Sequence, residues 1–276
     1  MMNTTAARDK KKRLVSSLRK FDSLLVAFSG GVDSAFLLTV AQEALGKKVA
    51  AATAVSPIHP RREQDDAVSF AGDRKIAHFL FKTNEMEIPE FVANHMDRCY
   101  HCKKALCKRL LQIAGEKSIG HVAHGANVDD LEDYRPGQRA AREAGIIAPL
   151  IDAELSKEEI RFLAKEMGLS EWDKPAMACL ATRFPYGCPI TEKGLGMVEA
   201  AEAFLSAQGF RGVRVRHHGP VARVEAASSE IHRIVREETR NAIVKRLREI
   251  GFDHVALDLE GYISGKMNRG IEELRD

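Results

Sequence analysis

A glycine-rich segment of the chain has residue types that suit a phosphate group. Residues 29–34 are Ser-Gly-Gly-Val-Asp-Ser, directly after an apolar run and at the start of a helical pattern. Gly30 and Gly31 let the backbone bend closely around a ligand. The N–H groups of the helix N-terminus, with the Ser29 and Ser34 hydroxyls, then point toward an anion. An ordinary Ser/Gly turn would not require a strand, a loop and a helix in this order, so the segment predicts a phosphate-binding loop.

The composition of this loop narrows the kind of phosphate site. A Walker-type loop needs a lysine and a Ser or Thr after its last glycine, and a dinucleotide fingerprint needs a third glycine. The sequence has neither pattern. Residues 29–34 resemble the SGGxDS loop of the PP-loop enzymes, which cleave ATP between its α- and β-phosphates. The resemblance implies that the loop binds the departing pyrophosphate, that a substrate is adenylated, and that Asp33 lies near the nucleotide and Mg²⁺.

A second group of reactive residues is centred on Cys99 and Cys102, which are separated by two residues. This spacing lets both sulfurs reach one metal, cluster or redox centre. A zinc site normally needs four ligands, and His95 and His101 could complete one. Cys107 lies in a helical pattern among leucines, and we interpret it as a core thiol.

Cys179 differs from the other cysteines because it lies in a stretch rich in proline and small residues, 175–187, after the last predicted strand of the sheet. A loop of this kind can reach over the strand ends. Thiolates from Cys99, Cys102 and Cys179 would hold a 4Fe–4S cluster at three irons and leave the fourth iron open. Nearby positive charges favour thiolates, and Lys103 supplies one. Taken alone, Cys179 could equally be a buried small residue.

These features occur together in one known family. The chain resembles the LarE family, the ATP-dependent sulfur transferases that make the nickel-pincer nucleotide cofactor. The resemblance spans nearly the whole chain, whereas the PP-loop alone would identify only a superfamily. The shared motifs are Ser-Gly-Gly-Val-Asp-Ser at 29–34, Cys-Tyr-His-Cys-Lys at 99–103, Asp-Tyr-Arg-Pro-Gly at 133–137, Cys179 with Arg-Phe-Pro-Tyr-Gly at 183–187, and Val-Arg-Val-Arg at 213–216.

The resemblance implies a two-step reaction on a pyridinium mononucleotide that carries carboxylates. A carboxylate is adenylated, which releases pyrophosphate, and a sulfur nucleophile then displaces AMP to give a thiocarboxylate. Because Cys99 and Cys102 accompany Cys179, the chain resembles the members whose 4Fe–4S cluster carries an extra sulfide on its open iron. Members with only the equivalent of Cys179 sacrifice its sulfur and end with dehydroalanine, and that alternative stays open. Lys103 and Thr182 fall at positions that the family places beside the active site.

Two arginines in the last third of the chain are candidates for phosphate binding. Arg214 and Arg216 are two residues apart, so on a strand their guanidiniums project to the same side while Val213 and Val215 face the core. Two adjacent guanidiniums make a good phosphate clamp. With the family resemblance, we expect them to hold the phosphate of the nucleotide substrate. The alternative is an exposed sheet face with solvated arginines.

Apolar runs that alternate with amphipathic stretches predict an α/β fold, a doubly wound parallel sheet, for the first two thirds of the chain. Ligands bind at the carboxyl ends of such strands, so the loops after residues 28, 55 and 124 should form the active site, and Gly125 should lie at the ATP. The predicted strands are 24–28, 49–55, 76–81, 120–124 and 146–150. The predicted helices between and after them are 33–45, 61–74, 100–117, 136–145 and 156–167.

A smaller α+β domain is predicted after this sheet. We place the boundary so that the two domains span 1–187 and 188–276. The predicted elements of the smaller domain are a helix at 191–208, strands at 213–217 and 221–226, a long helix at 228–249 and a strand at 254–259.

The overall composition is typical of a soluble globular protein, with 276 residues, of which 45% are hydrophobic and 29% are charged. The net charge of +3 is too small to favour nucleic-acid binding. No apolar run reaches the roughly 20 residues that cross a bilayer, so no membrane contact is expected. The basic N-terminus lacks the apolar core of a signal peptide, and five cysteines without such a signal indicate a reducing, cytoplasmic setting. The family implies a homo-oligomer.

Three other functions share parts of this pattern. Amidating PP-loop enzymes need an ammonia source, and nothing in the sequence resembles a glutaminase domain. RNA-thiolating PP-loop enzymes are closer, but they bring an RNA-binding extension and a stronger basic field. A nucleotide-binding sensor module would bind ATP and release no pyrophosphate.

Overall fold

The computed structural model describes residues 2–131, 136–175, 178–263 and 265–266. Packing divides the chain into two compact units, of which the first comprises Met1–Ile88 and Asp97–Met177. The second comprises Pro89–Met96 and Ala178–Asp276. The domain boundary between residues 187 and 188 stays a prediction.

The helices and strands follow the predicted alternation through most of the chain. The helices are α1 Thr4–Leu18, α2 Val32–Leu45, α3 Arg61–Asp73, α4 Pro89–Val92, α5 Arg98–Glu116, α6 Pro136–Glu143, α7 Pro149–Asp152, α8 Lys157–Glu166, α9 Glu192–Ala207, α10 Ile231–Ile234 and α11 Glu237–Ile250. The strands are β1 Leu24–Ala27, β2 Val49–Val55, β3 Ala77–Lys82, β4 His121–His124, β5 Arg214–His218, β6 Val221–Glu225 and β7 His254–Leu257. Short 3₁₀ helices span Gly46–Lys48, Glu85–Glu87, Val128–Leu131, Ser170–Asp173, Leu180–Arg183 and Ser228–Glu230.

The first unit contains a parallel sheet in the order β3-β2-β1-β4, which confirms the predicted α/β fold. Leu24 and Val26 of β1 pack in a core with residues of α1, α2 and α8. Leu25, which points to the other side, packs with residues of α5. Because alternate side chains of a strand face opposite ways, both faces of the sheet are covered by helices, as in a doubly wound sheet.

Two predicted elements are wrong. Instead of a strand at 146–150, the structure has a single bridge between Ala123 and Ile147, and α7 begins at Pro149. Proline has no N–H to donate to a sheet, whereas it is well placed in the first turn of a helix. The long helix predicted at 228–249 is interrupted, because Arg236 has an extended ψ of 137° and caps α11.

The second unit contains a three-stranded sheet in the order β5-β6-β7, with β5 antiparallel and β7 parallel to β6. Val213 and Val215 are buried, as predicted, in a core with residues of α9 and α11. The segment 89–96 belongs to this unit through Asn94. The Asn94 side-chain amide donates to the carbonyls of Pro185 at 2.7 Å and Cys188 at 2.8 Å.

Among the described residues, none of the helices combines the length and the apolar character that a membrane crossing requires.

We expect Gly125→Ala to lower the free energy of unfolding by about 1–3 kcal/mol, since overpacking of backbone forces shifts of this size. A methyl group at Gly125 would lie 2.9 Å from the backbone nitrogen of Ser34, in the first turn of α2. Urea denaturation measures the change. Gly115→Ala on α5 is the matched control, because nothing lies within 4 Å of the added methyl group. It should leave stability unchanged or raise it by about 0.4–1 kcal/mol, and equal losses for both variants would contradict the packing at Gly125.

Acid should destabilise the first unit through His124, the last residue of β4. Burial, with a smaller contribution from the Lys103 charge, lowers the pKa of His124 from 6.5 to about 3. Below pH 6.5 the unfolded chain therefore binds a proton that the folded protein does not accept until about pH 3, and stability is lost through this window as pH falls. His124→Gln removes this contribution, so its melting temperature should fall less than that of the wild type between about pH 7 and about pH 4.

The control for this experiment is His121→Gln, at the exposed start of the same strand. It should follow the wild-type pH dependence. If the His124→Gln and wild-type curves run parallel across the window, His124 does not resist protonation in the folded protein.

Candidate active site

Residues 29–34, the predicted phosphate-binding loop (the phosphate loop below), join β1 to α2, and hydrogen bonds between Ser29 and Ser34 stabilise their conformation. The Ser29 and Ser34 hydroxyl oxygens lie 3.1 Å apart, and the Ser29 N–H donates to Ser34 Oγ at 3.3 Å. Gly30 has a φ of +75°, a left-handed conformation that favours glycine. Among the described residues, no side-chain hydrogen bond caps the N-terminus of α2 at Gly31, and a helix N-terminus attracts anions.

Asp33, in the first turn of α2, has a basic partner from a distant part of the chain. The Lys157 ammonium at the start of α8 donates to Asp33 Oδ2, and the Asn127 amide donates to Asp33 Oδ1 at 3.4 Å. The Lys157 N–H also donates to Asp129 Oδ2 at 2.6 Å. The N-cap Ser156 fixes the start of α8 in a capping box with Glu159. The loop after β4, the start of α8 and the phosphate loop are therefore tied together at Asp33.

Lys174 makes a second link to the phosphate loop. Its ammonium donates to the Gly30 carbonyl at 3.2 Å and to Asp66 of α3 at 2.6 Å. The backbone around Lys174 is fixed in turn by Arg161 of α8, whose guanidinium donates to the carbonyls of Trp172 at 2.6 Å and Lys174 at 2.7 Å. Residues 29–34 contain no lysine. The ammonium groups of Lys174 and Lys157 nevertheless both lie beside this loop.

Sequence reasoning missed both of these lysines. For Lys157 the sequence holds a usable signal, because Ser156 with Glu159 three residues later is typical of a capping box and marks Lys157 as the first residue of a helix. The sequence did not indicate that this helix start faces Asp33. Lys174 follows a short 3₁₀ helix and carries no comparable signal.

Lys103, on α5, lies close to groups at the carboxyl ends of two strands. Burial is the main cause that lowers the pKa of His59, after β2, and the Lys103 charge adds to it. The same charge contributes at His124, at the end of β4. A Cβ on Gly137 of α6 would lie 3.4 Å from the Lys103 Cβ. Lys103 therefore lies among the loops in which the sequence predicts the active site.

Cys99 and Cys102 lie three residues apart in the first turns of α5, so they share one face of this helix. Both are partly buried, whereas Cys107 is buried in the core beneath the sheet, as predicted. In the part of the chain that the structure describes, all five cysteines are thiols rather than disulfides. The donor chemistry thus fits a thiolate-bound cluster.

The convergence of Cys99, Cys102 and Cys179 stays a prediction, because the first two belong to one compact unit and the third to the other. Over the described residues, no group of three or more His, Cys, Asp or Glu side chains is arranged to hold a metal ion. The Asp-Tyr-Arg-Pro-Gly motif falls largely outside the described residues, since 132–135 are not among them.

Cys179 begins the 3₁₀ turn Leu180–Arg183 and is partly buried. The Cys179 carbonyl accepts hydrogen bonds from the Thr182 N–H at 3.0 Å and from the Thr182 hydroxyl at 2.9 Å. The turn therefore has a defined shape at the residue that the sequence assigns to sulfur chemistry.

Arg214 and Arg216 project to the same side of β5, but both are buried, with 7% and 6% exposure. The alternative of a solvated sheet face is therefore wrong. Arg216 pairs with the fully buried Glu225 at 2.7 Å. Arg214 donates to the Val213 carbonyl at 3.0 Å, and burial followed by the charge of Arg183 lowers the pKa of Arg214. An anion at this position would relieve that electrostatic cost, but phosphate binding stays a prediction.

The comparisons with known proteins place the chain in a family. No protein-family model matches it. An uncharacterised protein of Synechocystis sp. is 43% identical over 259 residues, which are 92% of this chain and 97% of that protein. The pyridinium-3,5-bisthiocarboxylic acid mononucleotide synthase of Lactiplantibacillus plantarum is 37% identical over 261 residues, 94% of each chain. An uncharacterised protein of Methanocaldococcus jannaschii is 28% identical over 245 residues. With more than a third of its residues identical to that synthase along nearly the full length of both, the chain belongs to the LarE family.

Proposed function

We propose that this protein is an ATP-dependent sulfur transferase that converts carboxylates of a pyridinium biscarboxylate mononucleotide into thiocarboxylates, in nickel-pincer cofactor synthesis. The observation that carries the proposal is the 37% identity with the synthase over 94% of each chain. The name of that synthase specifies a pyridinium bisthiocarboxylic acid mononucleotide. The phosphate loop, its two lysines and the buried arginines of the second unit support it.

In the first step, a substrate carboxylate oxygen attacks the α-phosphorus of ATP, and the bond to the β-phosphate oxygen breaks. Negative charge then develops on the pyrophosphate that leaves. Backbone N–H groups at Gly30 and Gly31, the Ser29 and Ser34 hydroxyls, and the dipole of α2 are the groups that stabilise this charge. Lys157 adds a positive charge next to the same loop. Asp33 is the carboxylate that would hold Mg²⁺, which when bound neutralises phosphate charge.

In the second step, a sulfur nucleophile attacks the acyl carbon, and AMP leaves with the electrons of the acyl–oxygen bond. Cys99, Cys102 and Cys179 are the residues that would hold a 4Fe–4S cluster. Such a cluster, when bound by three thiolates, supplies an open iron for an additional sulfide. Lys103 lies near the loops at the strand ends and would stabilise negative charge on the nucleophile or on AMP.

Arg214 and Arg216 are proposed to hold the phosphate of the mononucleotide. Both are buried on one side of β5, where a guanidinium interacts strongly with an anion because little water competes. The proposed site for the substrate phosphate would thus belong to the same compact unit as Cys179.

The first test of the proposal is the release of pyrophosphate. With ATP, Mg²⁺ and the pyridinium biscarboxylate mononucleotide, the protein should form AMP and pyrophosphate only when the mononucleotide is present. Asp33→Asn should reduce this rate by roughly 100-fold, because without the carboxylate that would hold Mg²⁺ the charge on the leaving pyrophosphate is less stabilised. Asp22→Asn, at an exposed position before β1, is the matched control and should keep the wild-type rate. ATP binding without pyrophosphate release would instead indicate a sensor module.

The second test concerns the source of the sulfur. Protein prepared without oxygen should contain about four iron atoms and about four acid-labile sulfides per chain, and Cys99→Ala should lose both together with repeated turnover. Cys188→Ala, at an exposed cysteine outside the predicted ligand set, should keep them. Iron-free protein with a fully active Cys99→Ala variant would contradict the cluster. Loss of the elements of hydrogen sulfide from Cys179 after one turnover, seen by mass spectrometry, would then establish sacrifice of its sulfur.

A further inference from the structure

The guanidinium of Arg183 is almost completely buried, with 3% exposure, and lies in the turn that Cys179 begins. Its Nε and Nη2 each donate to one oxygen of Glu202 on α9, both at 2.8 Å. This bidentate pairing fixes the plane of the guanidinium as well as its position. Burial opposes the charge, but the hydrogen bonds and the charge of Glu202 leave the pKa of Arg183 raised. The group is therefore a permanent, oriented cation.

The third nitrogen of this guanidinium contacts the backbone on both sides of the cysteine. Nη1 donates to the Ala178 carbonyl at 2.9 Å and lies 3.3 Å from the Cys179 carbonyl. It also donates to the Thr182 hydroxyl at 2.7 Å, and that hydroxyl donates to the Cys179 carbonyl. The peptide groups before and after the Cys179 Cα are thus held from one point, so the direction of its Cα–Cβ bond is fixed.

The same network joins the cysteine turn to the strand of the two arginines. Glu202 Oε1 accepts a hydrogen bond from the Val215 N–H at 2.9 Å, in addition to the Arg183 contact. Arg216 Nη1 donates to the Thr182 carbonyl at 2.9 Å. Two independent connections therefore link β5 to the turn, and a shift of the turn would disturb both.

We propose that Arg183 is a positioning residue, which holds the Cys179 turn against Glu202 and β5 so that the sulfur is presented in one direction to a substrate on that strand. The inference rests on the proposed sulfur-transfer function. A lysine cannot replace the arginine here, because an ammonium lacks the planar set of donors that reaches a carboxylate and two carbonyls together.

The decisive variant is Arg183→Lys, which keeps the charge and loses the planar donor set. We expect kcat for thiocarboxylate formation to fall at least about tenfold, since misplacement of reacting groups by about 1 Å costs up to about 100-fold. The KM for ATP should stay within about twofold of the wild type, because the nucleotide loop lies in the other compact unit. The matched control is Arg233→Lys, at an arginine of the same unit that pairs with Glu230 away from the turn. It should leave kcat unchanged.

Hydrogen–deuterium exchange provides a measurement that needs neither substrate nor sulfur transfer. In the wild type, the Thr182 and Phe184 amides donate within the turn and should be protected. In Arg183→Lys they should exchange at least about tenfold faster, while the amides of β6 keep their protection. The buried Cys107 should remain inaccessible to alkylation.

Each outcome of these measurements decides the inference. Unchanged exchange at Thr182 together with unchanged kcat would overturn it. Exposure of Cys107 would show general unfolding, and Glu202→Gln, which retains one acceptor for Arg183, then takes the place of Arg183→Lys and must show the same local exchange and loss of kcat. If the wild type transfers no sulfur at all, the proposed function fails, whereas the exchange result still decides whether Arg183 holds the turn.

Discussion

The pairing of β1 with two parallel neighbours is the constraint on which the candidate site of the first unit depends. Leu24 pairs with Val49 of β2 and with His121 of β4, so the carboxyl ends of the three strands meet at one edge. The phosphate loop follows β1 at that edge, and Gly125 follows β4. The two loops approach so closely that a side chain at Gly125 would meet the backbone of α2. Register in the sheet therefore sets the distance between these two loops.

The charges at the N-terminus of α2 form a second constraint on the candidate site. A bare helix N-terminus attracts anions, and in this protein the Asp33 carboxylate occupies that end of α2 with the Lys157 ammonium as its counter-ion. The pair is partly exposed, so solvent screens it and its contribution to stability is small. In the proposed adenylation its consequence would be larger, because Lys157 would carry a positive charge to a phosphate by exchanging Asp33 for it.

The sequence predicted most of the elements because local signals and tertiary packing agreed there. The run 24–28 is apolar on both sides, which suits a strand buried between two layers of helices, and Ser156 with Glu159 marks the start of α8. The prediction failed at 146–150, where apolar residues fit a strand but Pro149 favours a helix start. It failed also at 228–249, where the helical periodicity continues through a break at Arg236.

The candidate site was predictable where chemistry resides in adjacent residues, as in Ser29–Ser34 or the pair Cys99 and Cys102. It was not predictable where a contact joins distant segments. The spacing of Arg214 and Arg216 showed that they share one side of a strand, but spacing alone allowed a solvated face. Their burial depends on β6, whose Glu225 lies opposite Arg214 in the register and pairs with the Arg216 guanidinium.

The buried arginines of the second unit are costly, and this cost is informative about their role. Removing a guanidinium and a carboxylate from water costs several kcal/mol per ion, and well-packed apolar residues in place of such a pair often give equal or greater stability. The core of this unit is small, and yet Arg183 with Glu202 and Arg216 with Glu225 are kept in its interior. Unlike apolar residues, these pairs can fix the orientation of the backbone, because each guanidinium donates hydrogen bonds to carbonyl groups at defined angles. Both pairs direct donors to the backbone of residues 178–182, so the geometry that they stabilise is that of the Cys179 turn.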